Sequence, residues 1–350
     1  MDNKQFDNEG NEILQSEQEQ ELTPNQESPQ YTAPPTRRRL KWNRIAIVAI
    51  LAVVAILAIG NFISHRGSLG TTVVNVREDI SFIHIDASSA RVVVETLPRG
   101  RDEVQVQLVN FQESALVVKN GNLIVDTRLA ERNNRRLHFG ILQFGDIGRR
   151  EVRIYLPANM ELSAFTASSR AGSVRVDGVS AETFAAASTS GSVRLQNINA
   201  EELSATSTGG SVRLYNVNTN DLTARSTSGS VRGEDIEFTN GYLRSTSGSV
   251  RFTGATWQNL EARSTSGSVR FTDARITPLQ GSTYLQSTSG STRLYLRNSR
   301  NDFTYQASAS SGTIRIDGQN HGRGNTSGGN GQHQLTLRST SGSSRMYFNR

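Results

Sequence analysis

The chain has 350 residues, a net charge of +6 and no cysteine. That length admits one or two domains, and the missing cysteine excludes disulfides, a thiolate zinc site and a cysteine nucleophile. Lys stands only at positions 4, 41 and 119, so 35 of the 38 basic residues are Arg, a bias that fits an anionic partner as well as simple codon usage.

Residues 1–36 carry Asp2, Asp7, Glu9, Glu12, Glu17, Glu19, Glu21 and Glu27 against Lys4 alone. Such a polar, acidic stretch predicts a disordered tail, here a cytoplasmic one open to a protein partner. Residues 37–44 reverse the sign with Arg37, Arg38, Arg39, Lys41 and Arg44, and Trp42 sits where an interfacial aromatic belongs. The apolar run 45–63 then spans roughly 28 Å as a helix, close to the ~30 Å hydrocarbon core. Only His65 and Arg66 follow it, so the positive-inside rule keeps the N-terminus in the cytoplasm. Ala58-Ile59-Gly60 resembles a signal-peptidase site, but a 44-residue polar leader is too long for an ordinary signal peptide. The expectation is an uncleaved transmembrane signal anchor, single pass in the cell membrane, with a 64–70 linker and an extracytoplasmic C-terminal domain.

Residues 71–160 predict a β-rich lead-in and cap. Its short runs are Thr72 to Val76, Ile80 to Asp86, Ala90 to Leu97, Val104 to Asn110, Leu116 to Lys119, Leu123 to Asp126 and Val152 to Leu156, several with the two-residue period of a half-buried strand. Asn120-Gly121 reads as a tight hairpin turn. Leu137, Phe139, Ile141, Leu142, Phe144 and Ile147, between basic flanks, form a loop that either folds back as an end cap or touches a membrane or partner.

From 161 to 350 one segment, Ser-Thr-Ser-Gly-Ser-Val-Arg, recurs almost letter for letter. Its glycines are Gly172, Gly191, Gly210, Gly229, Gly248 and Gly267, each 19 residues after the last, and looser copies follow at Gly290, Gly312 and Gly342. A fixed period near 20 residues marks a solenoid whose turns bury their apolar sides against one another. Leu203, Ala205 and Ser207 share one inward face and Val212 and Leu214 another, so a turn reads as two short strands joined at a corner. The Gly there offers a left-handed backbone, and the flanking hydroxyls can satisfy backbone groups. The fold class is therefore all-β: a parallel β-solenoid with about 19 residues per turn.

Stacking the turns puts Arg175, Arg194, Arg213, Arg232, Arg251, Arg270, Arg293, Arg315 and Arg345 in one outward column. A shorter column holds Arg225, Arg244 and Arg263, with Arg338 after a gap. Like charges on adjacent strands are destabilising. Either a bound polyanion offsets the repulsion, or stacked guanidinium planes are neutralised by Asp177, Glu234, Asp235, Asp273 and Asp317.

Val152-Arg153-Ile154-Tyr155-Leu156-Pro157, followed by Ala171-Gly172-Ser173-Val174-Arg175 and Ser190-Gly191-Ser192-Val193-Arg194, resembles the LiaG-like proteins. These bacterial, membrane-anchored envelope proteins are provisionally called adhesins. The resemblance covers roughly residues 71–350 and implies an exported parallel β-solenoid associated with the cell envelope or its stress response. It implies no catalytic residues.

Enzymatic chemistry is not expected, nor a cofactor or metal. His65, His84, His138, His321 and His333 lack ligand spacing, and His321 and His333 fall in a Gly- and Asn-rich stretch that reads as a solvated loop. The acidic group Glu234, Asp235 and Glu237 sits beside Arg232 and reads as a salt-bridged surface. The Thr189, Thr208, Thr227, Thr246, Thr265 and Thr288 column lies beside the corner rather than on a flat strand, which argues against ice binding. The expected function is a non-enzymatic surface protein binding anionic envelope polymers or lipid surfaces through its Arg columns, with no nucleic-acid partner. The alternatives are a structural spacer, or an envelope-stress regulator that contacts a partner through its tail.

Overall fold

A computed structural model of the chain describes residues 70–97, 102–111, 113–128, 138–139, 142–143 and 149–349. The acidic tail, the basic segment, the anchor and most of the apolar loop lie outside the described residues. Among the described residues no helix is long and apolar enough to cross a membrane.

The described residues are all-β. Val193 pairs in parallel with Val212, Val212 with Val231, Val231 with Val250 and Val250 with Val269, so successive turns superimpose residue for residue at the 19-residue period. In the turn Val212–Ser226 the buried residues are Val212 and Leu214, then Val217 and Thr219, then Leu222, Ala224 and Ser226. Each change of spacing from two to three marks a bend. The turn thus has three sides, not the two read from the sequence. The side missed, Val217 and Thr219, has only two inward residues, too short a run to show alternation.

The repeated glycines sit at one corner, and their role differs from the expected one. None of Gly172, Gly191, Gly210, Gly229, Gly248 and Gly267 has a positive φ. A Cβ on Gly210 would instead overlap the backbone carbonyl of Gly191, and one on Gly229 would overlap that of Gly210, so close approach of stacked backbones demands glycine here. Serine completes the corner. Ser226 Oγ donates to the Gly210 carbonyl one turn back at 2.8 Å and accepts from the Gly229 N–H at 2.9 Å. The same pair of bonds recurs at Ser188, Ser207, Ser245 and Ser264. The serine after the glycine adds a third rung, as where the Ser230 N–H donates to Ser211 Oγ at 3.1 Å.

Left-handed backbone belongs to a different corner. Asn159, Gly178, Asn197, Asn216, Asp235, Gly254 and Asp273, each 19 residues after the last, all have positive φ. Asn, Asp and Gly tolerate that region best. Asn216 Nδ2 donates to Asn197 Oδ1 at 2.8 Å, and Asn197 Nδ2 to Asp177 Oδ1 at 2.8 Å, tying these turns by their side chains.

Inside, equivalent residues stack on themselves. Phe165 and Phe184 lie 4.7 Å apart, Phe252 and Phe271 5.4 Å apart, each pair nearly parallel. Gly233 interrupts the Val-Arg-apolar pattern because a Cβ there would overlap the Phe252 ring, and Gly241 stands likewise beside Phe238. A small residue facing a large one keeps the core volume constant.

Both ends close by folding back. Asn122–Asp126 and Glu151–Leu156 pair with one side of the turn Phe82–Ala87 and Arg91–Thr96, and residues 161–177 pair with its other side. Stacking in register thus begins inside the segment read as a lead-in. Antiparallel strands finish this end: Leu116–Lys119 against Asn122–Asp126 across Asn120-Gly121, both with positive φ, and Thr71–Val76 against Val104–Val109. At the other end His333–Ser339 and Ser344–Asn349 insert between the strands 281–299 and 303–316. The last repeat in sequence is therefore the penultimate turn in space. Gly324–Gly328 then covers Phe303–Ala309 in antiparallel fashion, so the outer edge is not left as a parallel template.

Gly210 and its neighbour Gly209 separate close approach from mere corner position. A Cβ on Gly209 meets nothing nearer than 3.2 Å. In chemical denaturation Gly210→Ala should lose ~1–3 kcal/mol or more, as overpacking does, whereas Gly209→Ala should stay within about 0.5 kcal/mol of the parent.

Candidate functional site

The arginine columns are in register. Arg175, Arg194, Arg213, Arg232, Arg251, Arg270 and Arg293 pair in succession, and Arg345 follows Arg293, with Arg315 outermost. The sequence order of Arg315 and Arg345 is thus reversed in space by the inserted turn. Arg225, Arg244 and Arg263 form the second column, and Gln286 separates them from Arg338.

The neighbouring acids do not pair directly with the long column among the described residues. No arginine of the nine-residue column has a carboxylate within 4.0 Å among the described residues. Asp273 is bound by Arg297, whose guanidinium holds its carboxyl below the usual range, and Asp317 lies 3.7 Å from Arg300. Asp177 accepts from Asn197. Glu234, Asp235 and Glu237 make no ion pair with Arg232, so the salt-bridged surface expected there is absent; side chains alternate across a strand and spread at a corner, which separates groups adjacent in sequence. The Nε atoms of Arg194, Arg293 and Arg345 are buried without a hydrogen-bond partner. Arg153 shows the contrast: two turns before Arg175 in the same column, it meets Glu151 at 2.5 Å. In the second column, among the described residues, only Arg263 has a carboxylate, Glu261 at 2.8 Å.

Aromatic rings hold several of these guanidinium groups. The Arg194 guanidinium lies 4.8 Å from the centroid of Tyr215, Arg225 4.6 Å from Tyr242, Arg263 5.1 Å from Tyr284 and Arg270 5.7 Å from Tyr295. In each case the ring belongs to the next turn. A guanidinium lying over a ring keeps its N–H edge free for an oxyanion and loses less rotamer freedom on binding. The Tyr positions were the part of the site that sequence reasoning left out, although Tyr242 and Tyr284 occupy one register column and Tyr215 and Tyr295 another.

An open groove of about 640 Å³ runs along the Asn/Asp corner, lined by Asn197, Asn199, Asn216, Asn218, Asp235 and Glu237 among others. Among the described residues no group of His, Asp and Glu could hold a metal ion. The threonine column is exposed at the Ser-Gly corner.

His333 does not lie in a solvated loop. It opens the strand His333–Ser339 at a fully buried inward position. Trp257 Nε1 donates to Thr283 Oγ1 at 2.8 Å, and Thr283 Oγ1 lies 3.0 Å from His333 Nε2. With its one proton free to donate, the hydroxyl completes a chain into a neutral imidazole. Burial pushes the imidazole down to about 4, partly opposed by the Gln280 backbone.

A family model, Toastrack DUF4097, matches residues 80–344. The chain belongs to that family. The match spans the turns and every arginine of the two columns except Arg345, and leaves out Thr71–Val76 and nearly all of Ser344–Asn349. Among solved structures the Toastrack chain is similar to a provisionally named lipid-binding protein from Parabacteroides distasonis, at 12% identity over 80% of this chain and 97% of that one, with a TM-score of 0.41. Provisionally named adhesins from Parabacteroides merdae (10% identity, 80% and 97% covered, TM-score 0.35) and Bacteroides fragilis (11%, 80% and 98%, 0.35) are also similar. A comparison with curated proteins gives no match.

The buried imidazole makes a checkable link between proton binding and stability. Unfolded, His333 titrates near 6.5; folded, near 4. The unfolded chain therefore binds the extra proton between these values, so the contribution is complete above about pH 6.5 and is lost as pH falls toward 4. Unfolding free energy measured from pH 7 down to pH 4.5 should fall more steeply in the parent than in His333→Gln, and equal slopes would remove the buried neutral imidazole.

Proposed function

We propose that the chain is a non-enzymatic, adhesin-like protein of the cell envelope, anchored by residues 45–63 with its N-terminus in the cytoplasm, whose solenoid binds linear anionic polymers along the nine-arginine column. The observation that carries the reading is the column itself: nine arginines in register with no carboxylate within 4.0 Å among the described residues. Strands stack ~4.8 Å apart, so the column runs ~38 Å across the strands. A ligand matching it is long, extended along the solenoid axis, and negatively charged at intervals near that spacing or its small multiples. The resemblance to LiaG-like envelope proteins supports the same setting, and the charge asymmetry around residues 45–63 supports the topology.

Two measurements test it. Replacing Arg213, Arg232 and Arg251 together with Gln should leave the fold intact and relieve like-charge stacking of ~0.2–1 kcal/mol per pair. Affinity for long-chain polyphosphate or a uronic-acid polymer should fall at least tenfold, and its salt dependence should flatten because fewer counterions are released. Unchanged polymer affinity with lower thermal stability would reassign the arginines to structure alone, leaving a spacer; equal loss of binding to anionic lipid vesicles, with no polymer bound by the parent, would reassign the column to a membrane surface.

Topology is read separately. Protease added to intact cells lacking a wall should digest residues beyond 64 and spare the acidic tail, whereas a protected C-terminal domain would place the solenoid in the cytoplasm.

A further inference from the structure

The two arginine columns flank one corner. Arg225 precedes the Ser-Gly corner of its turn and Arg232 follows it, with Ser226 and Val231 pointing inward between them. The same holds for Arg244 and Arg251, and for Arg263 and Arg270. A closed turn with three sides rotates through a full circle, so the outward directions of adjacent sides diverge by a third of a rotation on average. Long side chains could still converge over the corner, but the arginines held by rings do not. Arg225 lies over Tyr242, which is in register with Thr223, two residues farther from the corner than Arg225 itself. Arg263 lies over Tyr284, in register with Glu261, and pairs with that glutamate too. On the other side Arg194 lies over Tyr215, in register with Gln196, again leading away from the corner that precedes Val193. Where rings fix them, both columns lean outward from the edge they share, and exposed Thr227 and Ser228 crown it.

We propose that the columns are two separate tracks on adjacent sides, so that one molecule grips two anionic polymer strands at once and joins them. The inference rests on the polymer-binding reading above and adds bivalency to it. The long track offers nine turns. The short one offers four arginines in five successive turns, ~19 Å from end to end, and Glu261 offsets one of its charges. The second strand is therefore held more weakly and released first by salt. Holding both strands on one rigid body makes capture of the second an effectively local event once the strands are brought together.

The test uses the full chain, one copy per nanodisc of zwitterionic lipid, and two pools of long-chain polyphosphate. Biotinylated polymer fixed to a surface captures the protein; after washing, fluorescent polymer is added and its retention measured. Arg225→Gln/Arg244→Gln/Arg263→Gln should hold to the fixed polymer within about threefold of the parent, yet retain at least tenfold less fluorescent polymer. Combining it with Arg213→Gln/Arg232→Gln/Arg251→Gln should lower capture at least tenfold, with circular dichroism melts confirming that each variant is folded. Two results would overturn bivalency while leaving polymer binding in place: retention equal to the parent in the short-track variant, which means bridging through self-association or one track, or loss of first-strand binding in that variant, which means one composite site. No capture of the parent by either polymer pool would overturn the polymer reading itself and bivalency with it.

Discussion

Everything in this molecule depends on the contact between stacked glycines at one corner. Backbones of neighbouring turns approach there until no Cβ fits, and the serine three residues earlier turns that closeness into bonds by bridging a carbonyl below and an N–H of its own turn. Each such bond contributes only ~0.5–1.5 kcal/mol net. Breaking one is worse than that figure suggests, because a buried N–H and a buried carbonyl would both be left without a partner. The corner is therefore a register lock: a slip of one residue would set a side chain into the glycine stack and turn every inward residue outward.

A locked register forces like onto like. The same rule that stacks Phe252 on Phe271 also stacks Arg251 on Arg270. For apolar rings this gains contact area; for charges it brings repulsion. At the ends of the solenoid the rule is relaxed, since turns enter out of sequence order and antiparallel strands cover the outermost edges. Carboxylates reach other arginines along the solenoid, as Arg153 meets Glu151, Arg263 meets Glu261 and Arg297 meets Asp273. Among the described residues the long column from Arg175 to Arg315 has no such partner in any of its turns.

The period, the strand direction and the arginine register from Arg175 to Arg270 were legible because all three follow from the 19-residue spacing alone. Residues in a column need no tertiary knowledge to be found. The role of the glycines was not legible, since a glycine required for close approach and one required for positive φ look identical in sequence; only the spacing of Asn159, Asn197, Asn216 and Asp235 hints that the left-handed corner is elsewhere. The third side escaped because Val217 and Thr219 are too few to alternate. His333 was misplaced for a related reason: the Gly- and Asn-rich stretch before it does form exposed structure, but the inserted final turn begins at His333 itself. Order in space is a long-range property, and the fold-back ends are where sequence order and spatial order part.

The preference for arginine over lysine becomes intelligible at the level of one turn meeting the next. An ammonium group is a compact, strongly hydrated charge, and nine in a column would each need their own water and counterion. A guanidinium is planar and weakly hydrated, so it can lie over a tyrosine of the following turn and still present an edge outward. The ladder spacing of ~4.8 Å leaves room for a flat group between strands but not for a hydrated sphere. Flatness is what lets the charge repeat at every turn, and the arginines held by rings, Arg194 on one side and Arg225 and Arg263 on the other, lean away from the Ser-Gly corner between the columns.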